Sequence, residues 1–386
     1  MKLTLIKDAE LYIPKYLGKK DVLFAGNQML AIDEHIEFST NQTSDVINAN
    51  GKKLIPGLID ALVHISGGGG EGGFHTRTPE MTLTQASMSG VTTVIGALGT
   101  DDVSRSLEDL LAKAYALESE GISAYIHTGS YQVPVQTLTG SIRRDLMLIP
   151  QVIGVGELAL SDHRGSHPSA EELTRIAIDC RVGGMLAGKK GTLFLHLGDH
   201  EDKLRLVNEI IQNSAVPATQ FYATHINRHQ ELLEDGAKLA AYGGFIDMTT
   251  STTPEFIKQG EVPAALAVKQ ALDLGAPLTQ ITMSSDGNAS LPLFENGKLT
   301  GLEVGKVASL FEAFMQLSEL IGFEDALATV TSNPSTALGL LNKGQIKLQN
   351  DVDMVLLDGH QIDSVWAKGR IMVEEGKPVS FGQFES

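Results

Sequence analysis

Between residues 58 and 285 the chain repeats one local pattern, a short apolar run followed by a stretch with helical spacing. Eight runs fit strands, at 58–64, 92–98, 123–128, 152–158, 192–197, 220–225, 244–249 and 280–285. Helix-like stretches at 107–117, 170–180, 204–211 and 264–274 fall between several of them. Strict alternation of strand and helix demands parallel pairing, because each return to the same end of a sheet needs a long crossover. Eight such units are the number that closes into a (β/α)8 barrel of the TIM type. An open doubly wound sheet competes, but it favours a glycine-rich phosphate turn directly after its first strand. Here that first run closes on a histidine, His64, and the glycines come after it.

The two chain ends have a different texture. Short strands separated by turns are expected at 2–6, 21–25, 29–32 and 45–48, and again at 353–357, 364–368 and 370–373. Strand-rich ends flanking an alternating middle imply that the ends pair with each other. The expected division is a small β-sandwich domain from residues 1–56 and 345–386, with the barrel spanning 57–344.

Charge and cysteine content remove several classes of function. The formal net charge of −17, from 30 basic and 47 acidic residues, argues against nucleic acid or an anionic membrane as partner. Cys180 is the only cysteine, so the chain has no internal disulfide and no zinc site built from several thiolates. The apolar stretch in the first residues is too short for a signal peptide, and no run has membrane-spanning length. A cytoplasmic location is therefore expected. No Gly-x-Ser-x-Gly elbow supports serine hydrolase chemistry, and Cys180, within a helix-like run, reads as a small core residue.

Within the barrel pattern, His64, His196, His225 and Asp286 each close an apolar run or lie just past it, at strands 1, 5, 6 and 8. A lone histidine of this kind is more often hydrogen-bonded than metal-bound. Four metal-type residues at the same end of barrel strands converge in space, and imidazole with carboxylate suits zinc or another first-row divalent ion. Asp286, in Ser284-Ser285-Asp286-Gly287-Asn288, reads either as an Asx turn or as a carboxylate beside a metal-activated water.

Several segments carry a resemblance. Leu54-Ile55-Pro56-Gly57-Leu58-Ile59-Asp60 ahead of His64 looks like the opening of an amidohydrolase-superfamily barrel. Thr331-Ser332-Asn333-Pro334, Leu338-Gly339-Leu340 and Asp351-Val352-Asp353-Met354-Val355-Leu356 look like its closing run. More particularly, Gly67-Gly68-Gly69-Gly70-Glu71, Leu98-Gly99-Thr100-Asp101, Thr128-Gly129-Ser130-Tyr131, Ser161-Asp162-His163-Arg164 and Thr224-His225-Ile226-Asn227-Arg228 resemble isoaspartyl (β-aspartyl) dipeptidases. The similarity runs in order along essentially the whole chain.

The resemblance implies hydrolysis of β-aspartyl dipeptides, with one or two Zn2+ ions as cofactor, a small peptide as substrate and assembly into a homo-oligomer. His64, Glu157, His196, His225 and Asp286 would be the metal ligands. Two positions depart from the family pattern. Leu62 stands where the first strand usually supplies the first histidine of His-x-His, and Glu157 stands where a carboxylated lysine usually bridges two metals. Leucine cannot ligate, whereas glutamate keeps the carboxylate on a shorter arm. Three states stay open: one ion on Glu157, His196 and His225; a weakened pair using His64 and Asp286 as well; or a catalytically silent relative. His75 could replace the missing ligand or be an ordinary loop residue.

For the substrate, the resemblance implies Glu71 against the α-ammonium, with Gly69 allowing close backbone approach. Thr100 and Ser290 would hold the aspartyl α-carboxylate, and Arg164 and Arg228 the carboxylate of the leaving amino acid. Tyr131 would polarise the scissile carbonyl while a metal-bound hydroxide attacks the side-chain amide and Asp286 shuttles the proton. The alternatives are another amidohydrolase reaction, such as N-acyl amino acid deacylation or cyclic amide opening, and a non-catalytic amino-acid or peptide binder.

Overall fold

In the computed structural model, which describes residues 2–37, 44–295 and 298–385, eight parallel strands form one sheet in chain order. They are β1 (Leu58–Val63), β2 (Val91–Gly96), β3 (Ser123–Thr128), β4 (Val152–Leu160), β5 (Thr192–Leu197), β6 (Phe221–Thr224), β7 (Phe245–Thr249) and β8 (Ile281–Ser284). All eight expected runs therefore become barrel strands. The sheet curls until its last strand meets its first. The seam is closed by a bridge between Val63 and Gly287 and by Asp60, whose carboxylate accepts from the Ser285 amide at 2.9 Å.

Helices cover the outside, and their ends carry the expected signals. Ser106 caps Leu107–Glu120, which stops at Gly121; Ser169 and Glu172 form a capping box on Ala170–Ala187, which stops at Gly188 in the left-handed conformation. The apolar outer faces of the strands pack on these helices in one large core. No helix among the described residues is long and apolar enough to cross a membrane.

A second, inner cluster fills the barrel: Ile59, Leu62, Ile95, Phe194, Tyr222 and Phe245. Leu62 is fully buried here. The residue that breaks the His-x-His pattern is thus a core residue, held by neighbours that leave it no route to solvent. Leu62→Ala is expected to cost about 2–5 kcal/mol of stability, the range for emptying a buried leucine site. The midpoint of denaturant unfolding checks it, and an unchanged midpoint would mean that the cluster closes over the gap.

The chain-end strands hydrogen-bond as one sheet of nine strands, with its own core. Leu3–Tyr12 is its central member, parallel to Ser44–Asn48 along its first half and to Lys53–Pro56 along its second. Lys53–Pro56 in turn pairs antiparallel with Met354–Asp358, which joins the two ends of the chain. Leu11, Phe24 and Leu54 from one end meet Met354, Leu356 and Trp366 from the other. The first strand is longer than expected because a bulge at Asp8, with φ of 54°, absorbs the break in its apolar alternation. Also unexpected is a hairpin of Ser290–Glu295 and Lys298–Val304 directly after the Asp286 turn.

Candidate metal centre and substrate site

The expected ligands gather at the C-terminal ends of the strands. His225 and Asp286 lie just beyond β6 and β8 and both adopt positive φ, 61° and 52°, so the chain turns sharply there. Glu157 lies inside β4. Opposite Phe194, residues Gly156 and Glu157 face a single partner position, because pairing shifts between Leu193↔Val155 and Leu195↔Leu158. That is a β-bulge, and it aims Glu157 inward. Gly156 is required: a Cβ there would lie 2.8 Å from the Phe194 carbonyl.

Glu157 is the hub. One oxygen, Oε2, lies 3.4 Å from His196 Nδ1 and 3.6 Å from His225 Nε2. The other, Oε1, lies 3.7 Å from His64 Nε2, which is 3.3 Å from Asp286 Oδ1. Donor atoms of Glu157, His196 and His225 all fall within 4.8 Å of one another, and all three residues are buried. Each histidine has its other nitrogen occupied: His64 Nδ1 at Ala97 O (3.1 Å), His196 Nε2 at Asp162 (3.0 Å), His225 Nδ1 at Thr249 Oγ1 (2.5 Å). Such outer partners fix the ring. The remaining nitrogens of His64 and His225 face Glu157, and that of His196 faces both Glu157 and the Tyr131 hydroxyl.

The electrostatics agree with a cation site. Burial pushes His196 and His225 down to about 4, so both are neutral lone-pair donors near neutral pH. Burial opposes the charge on His64 as well, yet the close Asp286 carboxylate and the charge of Glu157 outweigh it and raise it to about 9. This corner attracts positive charge. Glu157 Oε2 and Asp286 Oδ1 are buried without a hydrogen-bond partner among the described residues, which an ion would remedy. The residues present fit a divalent metal.

Around this centre the structure brings most of the expected substrate residues together. Tyr131 is 6% exposed and its Oη lies 2.8 Å from His196 Nδ1. Arg164 stacks over the Tyr131 ring at 5.3 Å and extends Nη1 to within 3.5 Å of Glu71. Thr100 Oγ1 donates to Glu71 at 3.0 Å, so in this structure it holds the glutamate. Arg228 donates from Nε to Leu197 O at 2.6 Å, with Nη2 3.4 Å from His196. Gly69, with φ of +69°, approaches Ser290 so closely that a Cβ would come within 2.9 Å of the serine Cβ. His75 is exposed in a short loop helix, Phe74–Thr76, and belongs with the loop residues.

Sequence reasoning missed Asp162. It accepts from Arg164 Nε and Nη2 at 2.9 and 2.7 Å and meets His196 at 3.0 Å. Burial works against its charge, but Arg164 and His196 hold its carboxyl well below the usual carboxylate range. Its signal was an acid two residues before Arg164 in a turn after β4.

Among solved structures, the chain is 43% identical to a β-aspartyl dipeptidase from Fervidobacterium islandicum AW-1 determined in complex with the β-Asp-Leu dipeptide. The match covers 99% of this chain and 100% of that one, with a TM-score of 0.91. The chain belongs to the β-aspartyl dipeptidases. A second structure of a β-aspartyl dipeptidase from that organism matches at 41% identity and a TM-score of 0.90, over the same share of both chains. A dihydropyrimidinase from Brevibacillus agri NCHU1002, at 16% identity and a TM-score of 0.68 over 98% of this chain and 97% of that one, shares the fold. No family model matches. In this chain Glu157 lies among His64, His196 and His225, with Asp286 beside His64, while Leu62 is buried in the barrel interior.

Proposed function

We propose that the protein hydrolyses β-aspartyl dipeptides with the aid of a bound divalent metal, zinc by the nature of its donors. The observation that carries this reading is full-length likeness to a dipeptidase solved with β-Asp-Leu, together with the Glu157-centred donor set. Glu157, His196 and His225 would hold the ion, and His64 and Asp286 would line a second position on the other side of Glu157. When bound, the metal supplies Lewis acidity and makes water a better nucleophile.

The chain's own residues do the rest. Glu71 pairs with the α-ammonium of the aspartyl moiety, a contact that an α-linked or N-acylated substrate cannot make in the same place. Ser290 beside Gly69 and Thr100 beside Glu71 line the place for the aspartyl α-carboxylate. Arg164, braced by Asp162, and Arg228, braced by Leu197 O, present guanidinium forks to the leaving residue's carboxylate. A cavity of about 370 Å3 beside Arg228, also lined by Phe256 and Glu261, gives the leaving side chain room. Water adds to the side-chain amide carbon, Tyr131 Oη donates to the developing oxyanion, and the C–N bond then breaks. Asp286 takes the proton from water and delivers it to the departing nitrogen.

The test is hydrolysis of β-aspartyl-leucine beside α-aspartyl-leucine, with zinc supplied and with a chelator-treated control. Chelator-sensitive cleavage of the β-linked peptide alone is expected. Cleavage of neither peptide with zinc bound would overturn the proposal in favour of another amide substrate.

Asp162 offers an independent check. Asp162→Asn removes the charge that orients both Arg164 and His196, and losses of about 10–100-fold are usual for such outer partners. kcat/KM for β-aspartyl-leucine is expected to fall by that amount. Unchanged kinetics would mean that Arg164 and His196 are held by their other contacts.

A further inference from the structure

Arg105 lies almost entirely out of solvent, 7% exposed, just before the helix Leu107–Glu120. Its guanidinium meets carbonyls where a carboxylate would be expected. Nη1 donates to Ser66 O, and Nη2 donates to Thr78 O at 2.8 Å and Gly68 O at 3.3 Å. Its Nε has no partner among the described residues. Burial pulls its pKa below the ordinary arginine value, but an arginine keeps its charge inside a protein. A buried cation with no carboxylate in contact among the described residues is costly, so the carbonyl dipoles that converge on it offset the charge, with Asp101, Asp109 and Glu80 acting from farther away.

Those carbonyls belong to the two limbs of one loop. Ser66 and Gly68 lie on the limb leaving β1, and Thr78 lies on the limb that returns. Between them the loop holds Glu71 and six glycines from Gly67 to Gly73, a composition with little stiffness of its own. Gly67 has φ of +82°, and a Cβ there would sit 2.7 Å from Arg105 Nη1, so the loop is moulded around the guanidinium. Thr78 adds a clasp, accepting from Gly68 N at 2.7 Å and donating to Asn288 O at 2.5 Å. The carboxylate of Glu71 is 40% exposed, and its polar contacts among the described residues are to the side chains of Thr100 and Arg164, at 3.0 and 3.5 Å. Its backbone placement therefore depends on what clamps the loop.

We propose that Arg105 is a positioning residue, an internal cation that clamps the 66–78 loop and so sets where Glu71 meets the substrate's α-ammonium. This rests on the role given to Glu71 above. Glu157, His196 and His225 lie on or just past β4, β5 and β6, apart from this clamp, whereas His64 adjoins it through Gly67 N, which donates to His64 O at 2.7 Å. Metal content is therefore read beside the kinetics. With the metal retained, loss of the clamp should weaken ammonium recognition and spare the bond-breaking step.

N-Succinyl-leucine separates the two, since it keeps both carboxylates and the amide of β-aspartyl-leucine and lacks only the α-ammonium. The experiment measures kcat and KM for β-aspartyl-leucine, and the inhibition constant of N-succinyl-leucine, in the metal-loaded wild type and in Glu71→Gln, Arg105→Ala and Arg105→Lys. For Arg105→Ala, KM is expected to rise about tenfold or more, the scale of one charged hydrogen bond. The contact forms before and during the reaction alike, so kcat should hold, and the constant for N-succinyl-leucine should stay close to wild type. Millimolar guanidinium should restore part of the lost affinity. Arg105→Lys, which keeps the charge without the fork, should fall between, and it carries the comparison if Arg105→Ala does not fold. Equal shifts for both ligands, or no shift, would overturn the positioning role. If Glu71→Gln itself moves both ligands equally, the ammonium reading fails and the proposal for Arg105 falls with it.

Discussion

Asp286→Asn is expected to lower kcat for β-aspartyl-leucine by about 10³-fold, the middle of the range for losing a positioned proton-transfer group. The substitution keeps the size of the side chain and its capacity to accept hydrogen bonds. It removes the ability to take up a proton. Asp286 is suited to that task by place: its carboxylate is 14% exposed, and its Oδ1 lies 3.3 Å from His64 Nε2 without a hydrogen bond among the described residues. Burial opposes its charge, yet His64 and the neighbouring histidines lower its pKa to about 2, so it starts the cycle ionised and able to accept. The turn that carries it is tied down independently, by Asp60 accepting from the Ser285 amide at 2.9 Å and by Gly287 donating to Ser285 Oγ at 2.9 Å. The variant should therefore keep its shape. Turnover and metal content measured on the same sample decide the matter. Turnover within about tenfold of wild type at full metal content would remove Asp286 from the proton path.

Glu157→Gln should have an effect of similar size through a different route. The carboxylate faces His196 and His225 with one oxygen and His64 with the other. An amide keeps the shape, but it brings no charge to neutralise an ion and turns N–H groups toward lone pairs on one side. Metal content should fall to background. Activity should then drop to about a thousandth or less, since a metal contributes several kcal/mol and each 1.4 kcal/mol is tenfold. Elemental analysis after desalting, beside the kinetic assay, reads both. A Glu157→Gln protein that still binds metal and turns over would show that His196 and His225 hold the ion with some other partner.

The barrel and the convergence of His64, His196, His225 and Asp286 at one end of it were legible because both depend on short-range pattern, whereas Glu157, inside its strand, stood out only through the family resemblance. Apolar runs broken by helical spacing mark parallel strands, and a histidine or aspartate closing such a run marks the open end of a barrel. Arg164 and Arg228 were implied by the resemblance to the dipeptidases, and their place just after strand ends favours binding over a solvated surface. Asp162 was not singled out, since an acid in a turn after a strand looks like any capping or solvated carboxylate. Arg105 was invisible for a similar reason. In sequence it is a polar residue ahead of a helix, and only the loop folded over it shows a buried cation among carbonyls.

Residue order alone thus settles which strands follow which, and which donor-type side chains each one carries to its C-terminal end. It says nothing of how far each side chain reaches. Glu157 serves as the hub only because a bulge at Gly156 aims it inward between three histidines. Leu62 became core packing because Phe194 and Tyr222, distant in sequence, close the barrel interior around it. Spacing along a strand reports periodicity, whereas ligation depends on distances of a few ångströms between residues from different strands. Those distances exist only once the barrel has closed.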